Sequence, residues 1–127
     1  WLAPGGKVEP NEAPYETAIR ETLEETGLQI KDHELRAVLS FPDNGESPFG
    51  DEWHVFVFYT TSFSGTLCDN CPEGKLEWVH KNSLTELATW EGDRIFTPKI
   101  FIPGCFSAKF LYSGNTLLNY SFLDITE

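Results

Sequence analysis

Five charged side chains, Glu12, Arg20, Glu21, Glu24 and Glu25, fall at spacings that suit a hard cation. With Glu21 at zero on a helical wheel, Glu24 falls at about −60° and Glu25 at about +40°. The three carboxylates therefore share one face. Tyr15, Ile19, Leu23 and Thr26 fall on roughly the opposite side, between about 120° and 200°, and are expected to face the core. Like charges three and four residues apart cost a helix roughly a few tenths of a kcal/mol per pair. A face kept only for solubility would interleave more Lys or Arg, and here only Arg20 lies near it, at about −100°. Gathered carboxylates suit Mg²⁺, which takes oxygen ligands and completes its shell from phosphate oxygens. An acidic helix face taken alone is more often a solvated surface, so the wider spacing has to carry the argument.

That spacing is Gly6, five residues, Glu12, seven residues, then Arg20-Glu21-Thr22-Leu23-Glu24-Glu25-Thr26-Gly27-Leu28. It resembles the Nudix box, the signature of the Nudix hydrolases: G, five residues, E, seven residues, then REUXEEXGU with U bulky and apolar. Every fixed Gly, Glu and Arg is present. Thr22 departs from the first U position, and the wheel reads this as a packing change. The resemblance implies an α+β fold, an α/β/α sandwich with a mixed, mostly antiparallel sheet and a catalytic loop–helix–loop over residues 6–28. It implies that Glu21, Glu24 and Glu25 bind Mg²⁺ or Mn²⁺, with Gly5 adding its backbone carbonyl. Arg20 and Glu12 would orient those carboxylates, because ligating carboxylates need partners to fix their rotamers. The implied reaction is attack of water on a phosphorus of a diphosphate linkage, with a carboxylate taking the proton. In this superfamily the base is either a motif Glu or an acid on a later loop. Glu73 is the later-loop candidate here, and an ordinary exposed loop acid is the equal alternative for it.

A second resemblance covers nearly the whole chain. The segments GGKVE, WHVFVF, LEWV, TWEGDRIF and FSAKFLYSGNTLLNY are similar to the 8-oxo-dGTP diphosphatases. That branch implies base stacking by Trp90 and reading of the purine edge by Asp93, with Lys7 also placed among the substrate-binding residues. An aromatic face stacks on a base, and a carboxyl group accepts from purine N–H groups. Two positions depart. Gly92 stands where vertebrate members carry a further acid, and Leu2 where they carry an Asn. The implied activity is hydrolysis of oxidised purine nucleoside triphosphates, such as 8-oxo-dGTP, to monophosphate and pyrophosphate, which sanitises the nucleotide pool. One competing reading is a Nudix hydrolase of ADP-ribose or another nucleoside diphosphate derivative. Another is a nucleotide-sensing module without catalysis, which the retained Glu21, Glu24 and Glu25 argue against.

The elements that must hold these residues follow from pattern. Pro14 suits the first position of a helix that runs to about Thr26 and stops at Gly27. Strands are predicted over Leu35–Phe41 and His54–Thr60, with a short extension over Phe63–Leu67 and another strand over Leu76–Val79. Ser83 and Glu86 suggest a capping box for a helix near Leu84–Ala88. A further helix is predicted over Asp93–Phe101, irregular around Pro98. Phe106–Tyr112 and Thr116–Leu123 read as a hairpin about Ser113-Gly114-Asn115. Trp1, Trp53 and Trp78 are read as packing residues.

The whole fits one domain over 1–127, since 127 residues with 40% apolar and 14% aromatic content suffice for one core. A net charge of −11 repels a phosphate backbone, so the expected partner is a small nucleotide and not a nucleic acid. No apolar run is long enough to span a bilayer, and a cytoplasmic monomer is expected. Cys68, Cys71 and Cys105 suggest no disulfide framework. Cys68 and Cys71 form a CxxC, but a structural zinc site needs four ligands. The chain has no Met. Related domains carry about one or two strands before this point, and those are expected to be unrecorded here.

Overall fold

The computed structural model describes residues 3–68, 76–87 and 89–125. Helix α1 (Pro14–Thr26) starts where proline pre-sets φ, and the Ala13 amide donates to Glu16 Oε1 at 2.9 Å. It ends on Gly27 in the left-handed conformation, φ 82°, whose amide donates to the Leu23 carbonyl. The chain then runs into β1 (Gln29–Phe41) and, after a loop, into β2 (Trp53–Ser64). A 3-10 helix (Lys81–Glu86) and helix α2 (Glu91–Ile100) precede the hairpin β3 (Phe106–Ser113) and β4 (Thr116–Asp124).

The four strands form one mixed sheet in the order β2-β1-β3-β4. β1 pairs antiparallel with β2 and parallel with β3, and β3 pairs antiparallel with β4. Parallel neighbours need a long crossover, and everything from β2 through α2 supplies it. The expected α+β sandwich with a mostly antiparallel sheet is what the chain forms.

Strict alternation on β3 buries Phe106, Ala108, Phe110 and Tyr112 on one face. They meet Ala37, Leu39 and Phe41 of β1 and Ile100 of α2 to make the core. Arg36 is buried too. Its Nη1 donates to the carbonyls of Ile100 (2.7 Å) and Ile102 (3.2 Å), and its guanidinium lies 4.2 Å from the Tyr59 ring centre. A cation at the C-terminal end of α2 satisfies carbonyls the helix leaves open and complements its dipole.

Several expectations need correction. Residues 76–79 form no strand; Trp78 is 66% exposed and stacks on Phe63. The segment read as a helix near 84–88 is a 3-10 helix over Lys81–Glu86, capped by His80, whose Nδ1 accepts from the Asn82 amide at 3.1 Å. Tyr15 and Leu23 are exposed, and Thr17 and Thr26 are the buried residues of α1. Tyr15 instead stacks on His33, centroids 5.5 Å apart. The strand extension beyond β2 ends at Ser64, and residues 66–68 are not paired as strand. Trp1 and Leu2 lie outside the described residues.

Candidate active site

The loop before α1 folds back along the acidic face of the helix, and Arg20 is the hub. Its Nε donates to Glu12 Oε2 at 2.7 Å and its Nη2 to Glu12 Oε1 at 3.1 Å, a two-pronged bond. Its Nη1 reaches Glu21 Oε1 at 2.9 Å and Glu24 Oε2 at 3.3 Å, with Glu9 at 3.6 Å. Its Nη2 also meets the Lys7 carbonyl at 3.4 Å, so one guanidinium ties the loop to the helix. Glu12 further accepts from Thr17 Oγ1 at 2.6 Å and from the Glu9 amide at 3.1 Å. A carboxylate only 13% exposed, with both oxygens bonded, is a built part of the loop and not a loose surface partner.

These bonds hold the Glu12 carboxyl at a pKa of about 2, down from an ordinary 4.5, chiefly through Arg20 and then Thr17. Glu12 in turn raises the pKa of the Arg20 guanidinium, so the pair stays ionised. Because the folded pKa is the lower one, this stabilisation is complete above pH 4.5 and is lost as pH falls through about 2. Thermal melts taken from pH 6 downwards should therefore show wild type losing stability across that window. Glu12→Gln, which cannot ionise, should show a flatter slope there. Parallel slopes would mean that the Glu12 bonds contribute nothing to folding.

Glu25 is tied to the loop as well, its Oε2 accepting from the Gly5 amide at 3.0 Å. The resemblance implies the Gly5 carbonyl as a further metal ligand, and the hydrogen bond seen at Gly5 is made by its N–H. Gly6 lies hard against Glu21: a Cβ there would stand 2.5 Å from Glu21 Cδ and Oε1. Glycine at this position lets the loop approach the carboxylate. Glu21 and Glu25 are thus held by different partners, Glu21 by the Arg20 guanidinium and Glu25 by the Gly5 amide. Glu24 is more open, 58% exposed. Lys7 is exposed, and Glu73 lies outside the described residues, as does Cys71.

Trp90 and Asp93 come together at the start of α2. Trp90 is the residue before the helix and Asp93 lies in its first turn, with Oδ2 accepting from Thr89 Oγ1 at 2.5 Å. Trp90 packs against Phe49 (centroids 5.4 Å) and edge-on to Tyr112 (5.5 Å). Phe49 also stacks on Trp53 at 5.3 Å and meets Phe41 at 5.4 Å, so the loop between β1 and β2 reaches into this aromatic cluster. Sequence reasoning missed Phe49 and Tyr112. The alternation of β3 could have flagged Tyr112 as inward-facing. Nothing local marks Phe49, which sits among turn residues.

A family model for the NUDIX domain matches residues 1–100. The chain belongs to the Nudix family. An uncharacterized Nudix hydrolase, YvcI of Bacillus subtilis, is 37% identical over 73% of this chain and 59% of its own length. A protein described as putative 8-oxo-dGTP diphosphatase 3 of Mycobacterium tuberculosis is 32% identical over 72% of this chain and 42% of its own. The chain thus spans about half the length of these relatives. The crystal structure of the mutator MutT protein from Bacillus halodurans superposes with a TM-score of 0.85 at 36% identity, covering 96% of this chain and 81% of that one.

Nudix hydrolases generally use divalent ions such as Mg²⁺. The donors here fit a hard cation, since Glu21, Glu24 and Glu25 offer only carboxylate oxygen on one helix face. Gly6 leaves Glu21 the space a Cβ would fill. Among the described residues no three His, Cys, Asp or Glu side chains converge into a cage. One oxygen each of Glu21 and Glu24 is taken by Arg20. Among the described residues, no helix is long and apolar enough to cross a membrane.

Proposed function

We propose that this Nudix domain hydrolyses the diphosphate linkage of nucleoside triphosphates, oxidised purine nucleotides such as 8-oxo-dGTP foremost, to monophosphate and pyrophosphate. In the cell that would keep oxidised purines out of the nucleotide pool. The observation that carries the chemistry is the Arg20 hub, which joins Glu12 to Glu21 and Glu24 and orders the acidic face. Glu21, Glu24 and Glu25 would hold Mg²⁺, with the Gly5 carbonyl. When bound, the ion supplies charge to polarise phosphoryl oxygens and lowers the pKa of water. Arg20 and Glu12 hold the carboxylates in place and are positioning residues. The oxygen of water forms a bond to phosphorus as the bridging P–O bond breaks, and the water's proton passes to a carboxylate. Glu73 or a box Glu takes that role.

The base reading rests on Trp90 and Asp93. Trp90 offers an aromatic face backed by Phe49 and Tyr112. Thr89 donates to one oxygen of Asp93, which orients the carboxyl group that would accept from purine N–H groups. The naming of the mycobacterial relative supports the oxidised-purine choice.

The test is a panel of 8-oxo-dGTP, dGTP, dATP and ADP-ribose with Mg²⁺, scoring pyrophosphate apart from phosphate. Release of monophosphate and pyrophosphate, fastest from 8-oxo-dGTP, is the expected result. Fastest cleavage of ADP-ribose would move the assignment to nucleoside diphosphate derivatives. Binding without turnover of any member would make the domain a sensor.

A further inference from the structure

Helix α2 begins without a side-chain cap of its own. The four first amides of a helix lack partners inside it, and Ser, Thr, Asp or Asn at the N-cap usually accepts from one of them. Trp90 occupies that position and its side chain makes no capping bond. The sheet supplies the missing acceptor. The Gly92 amide donates to the Tyr112 hydroxyl at 2.8 Å, in a buried bond that bridges 20 residues of chain. The same Tyr112 ring stands edge-on to Trp90, at 76° and 5.5 Å. Tyr112 is only 3% exposed and sits in β3 opposite Leu117 of β4, beyond the stretch over which β3 also pairs with β1. Burial in the core, with Phe49 and Trp90 against its ring, fixes its position.

Gly92 completes the arrangement. A Cβ there would lie 2.7 Å from the Tyr112 hydroxyl and 3.0 Å from Phe110 Cδ1, so only glycine brings the helix start this close to the sheet. A side chain at position 92 and a hydroxyl at position 112 exclude one another in this packing. The absence of an acid at 92 thus has a physical counterpart on β3.

We infer that Tyr112 is a positioning residue for nucleotide recognition: its hydroxyl caps α2, its ring backs Trp90, and together they fix the Trp90–Asp93 pair before a base arrives. The inference rests on the base-stacking reading of Trp90. A preset pair binds without first having to be ordered, so its loss shows in substrate binding more than in the chemical step.

Tyr112→Phe keeps the ring and removes only the hydroxyl, leaving the Gly92 amide without its acceptor. KM for 8-oxo-dGTP should rise about five- to tenfold with kcat within about twofold. The inhibition constant of inorganic tripolyphosphate, which has no base, should stay unchanged. Gly92→Ala should raise KM about tenfold in the natural chain and clearly less in the Tyr112→Phe background, where the colliding oxygen is gone. A Tyr112→Phe protein that melts lower yet keeps its KM would overturn the inference, and so would additive effects in the double variant. Trp90→Ala separates the two levels. If it raises KM and Tyr112→Phe does not, the positioning role alone fails. If it too leaves KM unchanged, the base reading fails and takes this inference with it.

Discussion

Replacing Glu25 with Gln is expected to lower kcat by about 10³-fold while the fold stays intact. The substitution is nearly isosteric. The Gln carbonyl oxygen still accepts from the Gly5 amide, which in the natural protein donates to Glu25 Oε2 at 3.0 Å. The loop therefore keeps its tie to α1, and the melting temperature should move little. What is lost is a formal negative charge and an anionic oxygen donor. A hard cation is held by such donors, and a factor of 10³ corresponds to about 4 kcal/mol of transition-state stabilisation. Steady-state kinetics across a Mg²⁺ titration would check this. Saturation should shift to higher metal, with the residual rate still far below wild type. Turnover within tenfold of wild type at ordinary Mg²⁺ would remove Glu25 from the metal site.

The parts of this site that were legible in the sequence are those where chemistry imposes a spacing. Glu21, Glu24 and Glu25 must share a helix face, and a period of ~3.6 residues makes that visible in one dimension. Glu12 and Arg20 stand at the fixed offsets of the box, and the structure joins them. The hairpin of β3 and β4 was equally readable, because strict alternation and Ser113-Gly114-Asn115 are local signals. Periodicity was less informative about what lies across from a face. The wheel set Tyr15 and Leu23 inward together with Thr26, yet only Thr26 is buried, since burial depends on what the helix meets. The stretch at 76–79 has the residue types of a strand but pairs with no strand among the described residues. His80 caps the 3-10 helix in place of the expected Ser83 and Glu86 box, its imidazole accepting from the Asn82 amide. Phe49 and Tyr112 act through contacts to Trp90 from distant parts of the chain, and no local pattern encodes such a meeting.

Gly6→Ala should separate catalysis from stability without changing any charge in the site. The φ of Gly6 lies outside the left-handed region, so alanine meets no backbone penalty there. Its Cβ does meet Glu21, at 2.5 Å from Cδ and Oε1 and 3.0 Å from Cγ. These atoms are the far end of a flexible side chain, and they give way by rotation instead of unfolding the loop. The Glu21 carboxylate cannot move without losing its 2.9 Å bond from Arg20 Nη1. That bond is partly exposed at both ends and contributes modestly to folding. The carboxylate's position, in contrast, is what a metal site depends on. Displacing a reacting or ligating group by about 1 Å can cost ~10²-fold in rate. The expected outcome is a fall in kcat/KM of about 10²-fold with the melting temperature within about 2 °C of wild type. Loss of both together would mean that Gly6 serves the loop's fold. Retention of activity would mean that Glu21 need not sit where Arg20 holds it, and the hub would then lose its place in the mechanism.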